Sequence, residues 1–152
     1  MLWVAEIPWH TPFSSLTPVV SYSTYITMSH FTEIKTQIKD IAALKAACQE
    51  LGLPLLQNTT ARGYAQDTLH GDYVIKLQGP YDIAVMKQPD NTFTFTADFW
   101  QGHVEQEVGQ NYSRLLQLYG VHKAMCEAKK KGQTVQRQTL KNGSIKLTIG
   151  GM

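Results

Sequence analysis

DIAVMKQPDNTFTFTADFW, Asp82 to Trp100, consists of two strand-like runs around a turn at Gln88-Pro89-Asp90-Asn91. In the second run Phe93, Phe95, Ala97 and Phe99 fall on one side, and Thr92, Thr94, Thr96, Asp98 and Trp100 on the other. Strict alternation over that length predicts a half-buried strand in an antiparallel sheet. Rings at Phe93, Phe95 and Phe99 on one face require a covering layer, and helical periodicity elsewhere in the chain can supply it.

Working outward, Asp40 is placed to cap a helix whose apolar face is Ile41, Leu44, Ala47, Cys48 and Leu51, closed by Gly52 and Pro54. A second helix is expected from about Gln110 to Lys131, with Tyr112, Leu115, Leu116, Tyr119, His122 and Cys126 on one face. Lys129, Lys130 and Lys131 fall in its last turn, where cations favour the negative end of the helix dipole, and Gly132 ends it. Alternation of Thr32, Ile34, Thr36 and Ile38 with Glu33, Lys35 and Gln37 predicts an early strand. Leu55 to Ala65 reads as another, then a Gly71-Asp72 turn, then Tyr73 to Leu77. Thr134 to Leu140 and Ser144 to Ile149 flank Asn142-Gly143, the strongest short hairpin signal available.

The order β-α-β-β-β-β-α-β-β makes the expected class α+β: a single antiparallel sheet of about six to seven strands with two helices packed on one face. Phe93, Phe95 and Phe99 are expected to meet Leu44, Leu115 and Tyr119 across that layer.

With 152 residues, 43% of them hydrophobic and 17% charged, the chain has the composition of one soluble domain with a sizeable core. A formal charge of +2 announces neither a nucleic-acid nor an anionic-membrane partner. Cys48 and Cys126 both lie in helical stretches and are expected to be small buried thiols; no closely spaced Cys/His set points to zinc, and no cofactor is expected. The first 27 residues carry no Lys or Arg, one acid (Glu6), and Pro8, Pro12 and Pro18. They lack the charged start and apolar run of a signal peptide, and no run is long enough to span a bilayer. The expected organisation is residues 1–27 as a disordered or over-called extension and residues 28–152 as the single α+β domain, starting at Met28.

Met28-Ser29-His30-Phe31 with Ile34-Lys35-Thr36 opens a series of short motifs. It continues through Arg62-Gly63-Tyr64, Tyr81-Asp82-Ile83 and Ala97-Asp98-Phe99-Trp100, then Tyr119 with His122, and ends at Asn142-Gly143-Ser144-Ile145. In order and spacing the series resembles the hypothetical chloroplast reading frame thirty-five family of cyanobacteria and red-lineage plastids, with relatives in other bacteria. That family usually has Trp where Phe99 stands and Gly directly after Trp100, where this chain has Gln101. The resemblance implies a cyanobacterial cytoplasm or plastid stroma, supports Met28 as the start, and carries over no catalytic residue.

Three function classes remain open. His30, Asp98, His103 and His122 together could hold a divalent metal or act as acid and base, although no close ligand spacing exists and a lone His on an apolar helix face is more often a hydrogen-bonded core residue. Arg62 with Tyr64 and Trp100 could anchor a protein partner, since exposed aromatics beside Arg make good anchors. Against that stands an internal ion pair of Arg62 with Asp72, Asp82 or Asp98, and a place for Trp100 at the sheet margin. Lys123 and Lys129 to Lys131 could touch phosphates, but a basic helix end is usually a solvated cap. With no nucleophile elbow, P-loop or dinucleotide glycine pattern, the leading expectation is a non-enzymatic accessory protein that binds another protein.

Overall fold

The computed structural model describes Leu2–Ile7, Val20–Ser21 and residues 31–151. The strands are β1 (Leu2–Ile7), β2 (Val20–Ser21), β3 (Phe31–Lys35), β4 (Leu55–Arg62), β5 (Thr68–Ile75), β6 (Ile83–Lys87), β7 (Phe93–Asp98), β8 (Thr134–Thr139) and β9 (Ile145–Gly150). The helices are α1 (Ile41–Glu50), α2 (His103–Val108) and α3 (Ser113–Lys130). The class is α+β.

The strands build two antiparallel sheets, which corrects the single sheet expected from the sequence. One is six-stranded in the order β2-β3-β7-β6-β5-β4, the other three-stranded in the order β1-β9-β8. Period-two alternation fixes which face a side chain takes, but not which strands become neighbours. β9 finds its hairpin partner β8 on one side and β1 on the other, so neither of its edges is left for the larger sheet. The Asn142-Gly143 turn forms as expected, with Gly143 N–H donating to Leu140 O and Leu140 N–H to Ser144 O.

β7 lies inside the large sheet between β3 and β6. Its register places Ile34, Phe95, Val85, Tyr73 and Gln57 in one row across the sheet and Glu33, Thr96, Ala84, Val74 and Leu56 in the next. The first row faces the helices. The second was expected to be solvated, yet Thr94 and Thr96 are only 1% and 7% exposed. Ala61, Val74 and Ala84, with Leu69 against them, make a small second apolar cluster. The sheet is therefore buried on both sides at β7, and its threonines sit in a closed environment.

Asp40 caps α1 as expected: Oδ1 accepts from the N–H groups of Ala42 and Ala43. Lys123 from α3 bonds the other carboxylate oxygen at 3.0 Å, so the cap also ties the helices together. Ile34, Leu44, Phe95, Leu115, Tyr119 and Leu147 belong to one buried cluster that joins both sheets to α1 and α3. Because α3 also meets the small sheet, its burial extends to Gln117 and Leu118. Gln117 Nε2 donates to Ile7 O and Gly143 O, fastening α3 to the small sheet.

Four local readings are corrected. Gly71-Asp72 is no turn: β5 starts at Thr68, and Gly71 pairs with Thr59 inside the β4–β5 ladder. A methyl group at Gly71 would lie 3.3 Å from Ala84 Cβ and 3.3 Å from Val74 Cγ2, so glycine serves close packing there. The chain reverses instead at Gly63–Asp67, where Ala65 and Gln66 adopt φ of 52° and 69°. α3 starts at Ser113 rather than Gln110, because Asn111 and Tyr112 are left-handed and stop the helix from extending backwards. α2 occupies most of the stretch between Trp100 and Gln110, where no element was expected; its only sequence signal is Val104 and Val108, both buried, at i and i+4. Finally, Cys126 is exposed, whereas Cys48 is buried as expected.

Candidate functional site

The C-terminal end of β7 and the β4–β5 connection meet at one end of the large sheet. Asp98, the last residue of β7, is 1% exposed. Its Oδ2 accepts from Tyr64 N–H at 3.0 Å and its Oδ1 from Trp100 N–H at 2.9 Å. One buried carboxylate thus clamps the backbones of two aromatic residues that are distant in sequence. Their rings lie 5.6 Å apart, tilted by 56°. Tyr64 and Trp100 are 38% and 45% exposed, so part of each ring reaches the surface.

The turns that carry the pair are strained. Ala65 and Gln66 follow Tyr64 at positive φ, and Gln101 follows Trp100 at φ 55°. A left-handed conformation costs a non-glycine residue roughly 1–2 kcal/mol. Glycine, usual in the related family at the position of Gln101, would relieve that cost. Strain of this kind persists only where the surrounding structure holds it in place.

Beneath this patch lies a charged node. Asp82 is fully buried and accepts from Arg62 N–H, Arg62 Nε and Lys76 Nζ on Oδ2, and from Arg62 Nη2 and Leu77 N–H on Oδ1. Burial pushes the Asp82 carboxyl up, but the bonds from Arg62, then Lys76 and Leu77, outweigh it and hold the group below its ordinary value of 3.8. Arg62 Nη2 also donates to Leu77 O and Gly79 O, so the guanidinium closes the loop before β6. Among the three acids considered as its partner, the structure selects Asp82. Glu107 from α2 accepts from Gln78 N–H and Gly79 N–H, joining the same loop to the helix. Tyr81 is buried against the edge of His103 at 5.4 Å. Its phenol is raised by burial first, then by the negative charge of Asp98.

The expected site residues therefore divide. Arg62, Tyr64, Asp98 and Trp100 come together at this end of the sheet. His103 joins the margin through Tyr81. His30 lies outside the described residues. His122 sits elsewhere, on α3, with Nε2 2.6 Å from Glu50 Oε2, and among the described residues it shares no hydrogen-bond partner with Asp98. Among the described residues no group of His, Cys, Asp and Glu is arranged to hold a metal.

Glu50 was not singled out in the sequence. Arg137 of β8 grips it with both terminal guanidinium nitrogens, Nη2 to Oε1 at 2.6 Å and Nη1 to Oε2 at 3.1 Å. Arg137 first, and His122 with it, keeps the Glu50 carboxyl below its usual range against the opposing effect of burial. An acid at a helix C-terminus with a partner far along the chain leaves no local signal. Glu107 was hidden similarly, inside a helix too short to show a period.

These features define a small two-sheet α+β protein with a clamped aromatic pair on its surface. The chain belongs to the family described as "Protein of unknown function (DUF1257)", whose model matches residues 47–148. It is 31% identical to "Uncharacterized protein ycf35" of Pyropia yezoensis and 30% identical to the protein of that name from Guillardia theta, each over 125 residues. Both alignments cover 80% of this chain and 96% of the relative. This is the family that the motif series resembles. No solved structure matches the chain. Among the described residues no helix is long and apolar enough to cross a membrane.

Proposed function

We propose that the protein is a small accessory protein of the cyanobacterial cytoplasm or plastid stroma that acts by binding another protein, with Tyr64 and Trp100 as its anchors. The observation that carries this reading is the Asp98 clamp. The backbones that carry the two rings are held in place by one buried carboxylate, so little backbone freedom is lost when a partner covers them. Arg62, its side chain 48% exposed beside the pair, adds a charged rim. The test is quantitative capture from native extract, with Trp100→Ala compared against Leu56→Ala, a substitution at another exposed apolar residue. Wild type and Leu56→Ala should retain the same partner, while Trp100→Ala weakens it at least about tenfold, the effect of losing ~1.4 kcal/mol at a hot spot. Recovery of no partner, or equal recovery by Trp100→Ala, refutes it.

The folded unit in this reading is residues 28–152, with β1 as an edge strand added to it. The support is that the relatives align over nearly their whole length with four-fifths of this chain, and that β1 lies at the outside of its sheet. A protein starting at Met28 should unfold cooperatively and melt only about 5 °C lower, since the loss is two edge ladders, β1 on β9 and the two-residue β2 on β3, with the packing of Ile7 and the bond from Gln117 to Ile7 O. A non-cooperative or unfolded product would overturn the boundary.

A further inference from the structure

Away from the aromatic pair, α1, α3 and β8 enclose an open groove of about 410 Å³. That volume lies within the range of small-molecule sites, about 300–1,000 Å³. The walls are Ala42 and Ala46 from α1, Met125 and Cys126 from α3, and Val135 from β8, with Lys129 at the rim. On α3, His122, Met125, Cys126 and Lys129 stand at i, i+3, i+4 and i+7, so one helix face supplies them all. Alanines at i and i+4 usually let two helices approach closely. Here Ala42 is exposed and Ala46 only half-buried, so nothing described in the chain fills the space they leave.

Charge selects the occupant. Among the described residues no acid lines the groove. Glu50, which bonds the lining residue His122, is already committed to Arg137 as well. Lys129 makes no ion pair among the described residues, unlike its neighbour Lys130, which reaches Glu127. An apolar trough with an unpaired ammonium at one rim suits a molecule with a hydrocarbon tail and a single anionic head. We propose that this groove binds an aliphatic carboxylate, its chain along Ala42, Ala46, Met125 and Val135 and its head on Lys129.

The protein carries its own reporter. Cys126 is exposed within the groove, while Cys48 is buried, its thiol pushed up to about 12 by desolvation. Thiolate is the reactive form, so alkylation of the native protein should proceed at Cys126 and report on the groove alone. Decanoate below its micellar concentration should slow alkylation by iodoacetamide saturably, and decyltrimethylammonium, with the same tail and the opposite charge, should not. Lys129→Gln should weaken the protection by decanoate about fivefold, the scale of one exposed charge pair. Ala46→Leu should remove it by filling the trough. Because Lys129 is exposed, the first variant stays informative if the second fails to fold. Protection that is absent, unsaturable, equal for the cationic amphiphile, or unchanged by Lys129→Gln would overturn the assignment.

Discussion

Replacing Asp82 by Asn is expected to destabilise the protein by about 3 kcal/mol, the lower part of the range for breaking a buried ion pair. Asp82 is wholly buried and satisfies two backbone N–H groups as well as Arg62 and Lys76. An amide keeps one acceptor oxygen but turns an NH2 group towards two cations. The lower figure follows from exposure: the side chains of Arg62 and Lys76 are 48% and 29% exposed and can turn to solvent. At this chain length the loss corresponds to a melting temperature about 6–12 °C lower. The effect depends on pH with a definite sign. Folding holds the carboxyl below its ordinary 3.8, so its contribution is complete above that value and is lost as the pH falls through the folded pKa. Thermal melts of wild type and variant should converge in acid. A variant melting with wild type at neutral pH would show that the node is dispensable.

Gly109→Ala should cost about 2–4 kcal/mol through two effects acting together. Gly109 has φ 83° and ψ 163°, a region open almost only to glycine. A Cβ there would lie 2.6 Å from Ser113 Oγ and 2.9 Å from Arg114 N. The residue stands between α2 and α3 and leads into Tyr112, a fully buried ring whose edge-on contact with Phe95 is 5.1 Å and whose contact with Phe99 is 5.5 Å. Shifting the junction therefore disturbs the aromatic layer that covers β7. Denaturant titration of Gly109→Ala beside Gly109→Ala/Ser113→Ala separates the causes. The double variant should recover the part due to Oγ, while the backbone strain and the clash with Arg114 N persist.

How much of this was legible in the sequence depends on the range of each interaction. The face assignment of β7, the Asp40 cap, the Gly52 stop and the Asn142-Gly143 turn all rest on residues within a few positions of one another, and they appear in the structure as read. The division into two sheets rests on β1 meeting β9 across nearly the whole chain, which no local period encodes. The site shows the same contrast. Tyr64 and Trp100 stood out as possible anchors beside Arg62 and Gly63, with a place at the sheet margin as the alternative for Trp100. Their juxtaposition did not stand out, because it is made by Asp98, which read more naturally as a candidate acid. His122 carried an imidazole on an apolar face, a pattern with an ordinary structural answer, and Glu50 is that answer.

The sharing of one helical layer by two sheets has a consequence for how the molecule opens. Among the described residues no strand belongs to both sheets, so no backbone ladder couples them. What joins them is side-chain packing on α1 and α3 and the contacts of Gln117 and Glu50. Cooperative units of partial unfolding follow continuous hydrogen-bonded elements. The amides of β8 and β9 can therefore exchange with solvent through an excursion in which the small sheet detaches while β5, β6 and β7 keep theirs. In such an excursion Arg137 leaves Glu50 and Val135 leaves the groove, so the trough beside Cys126 widens without the central sheet unfolding.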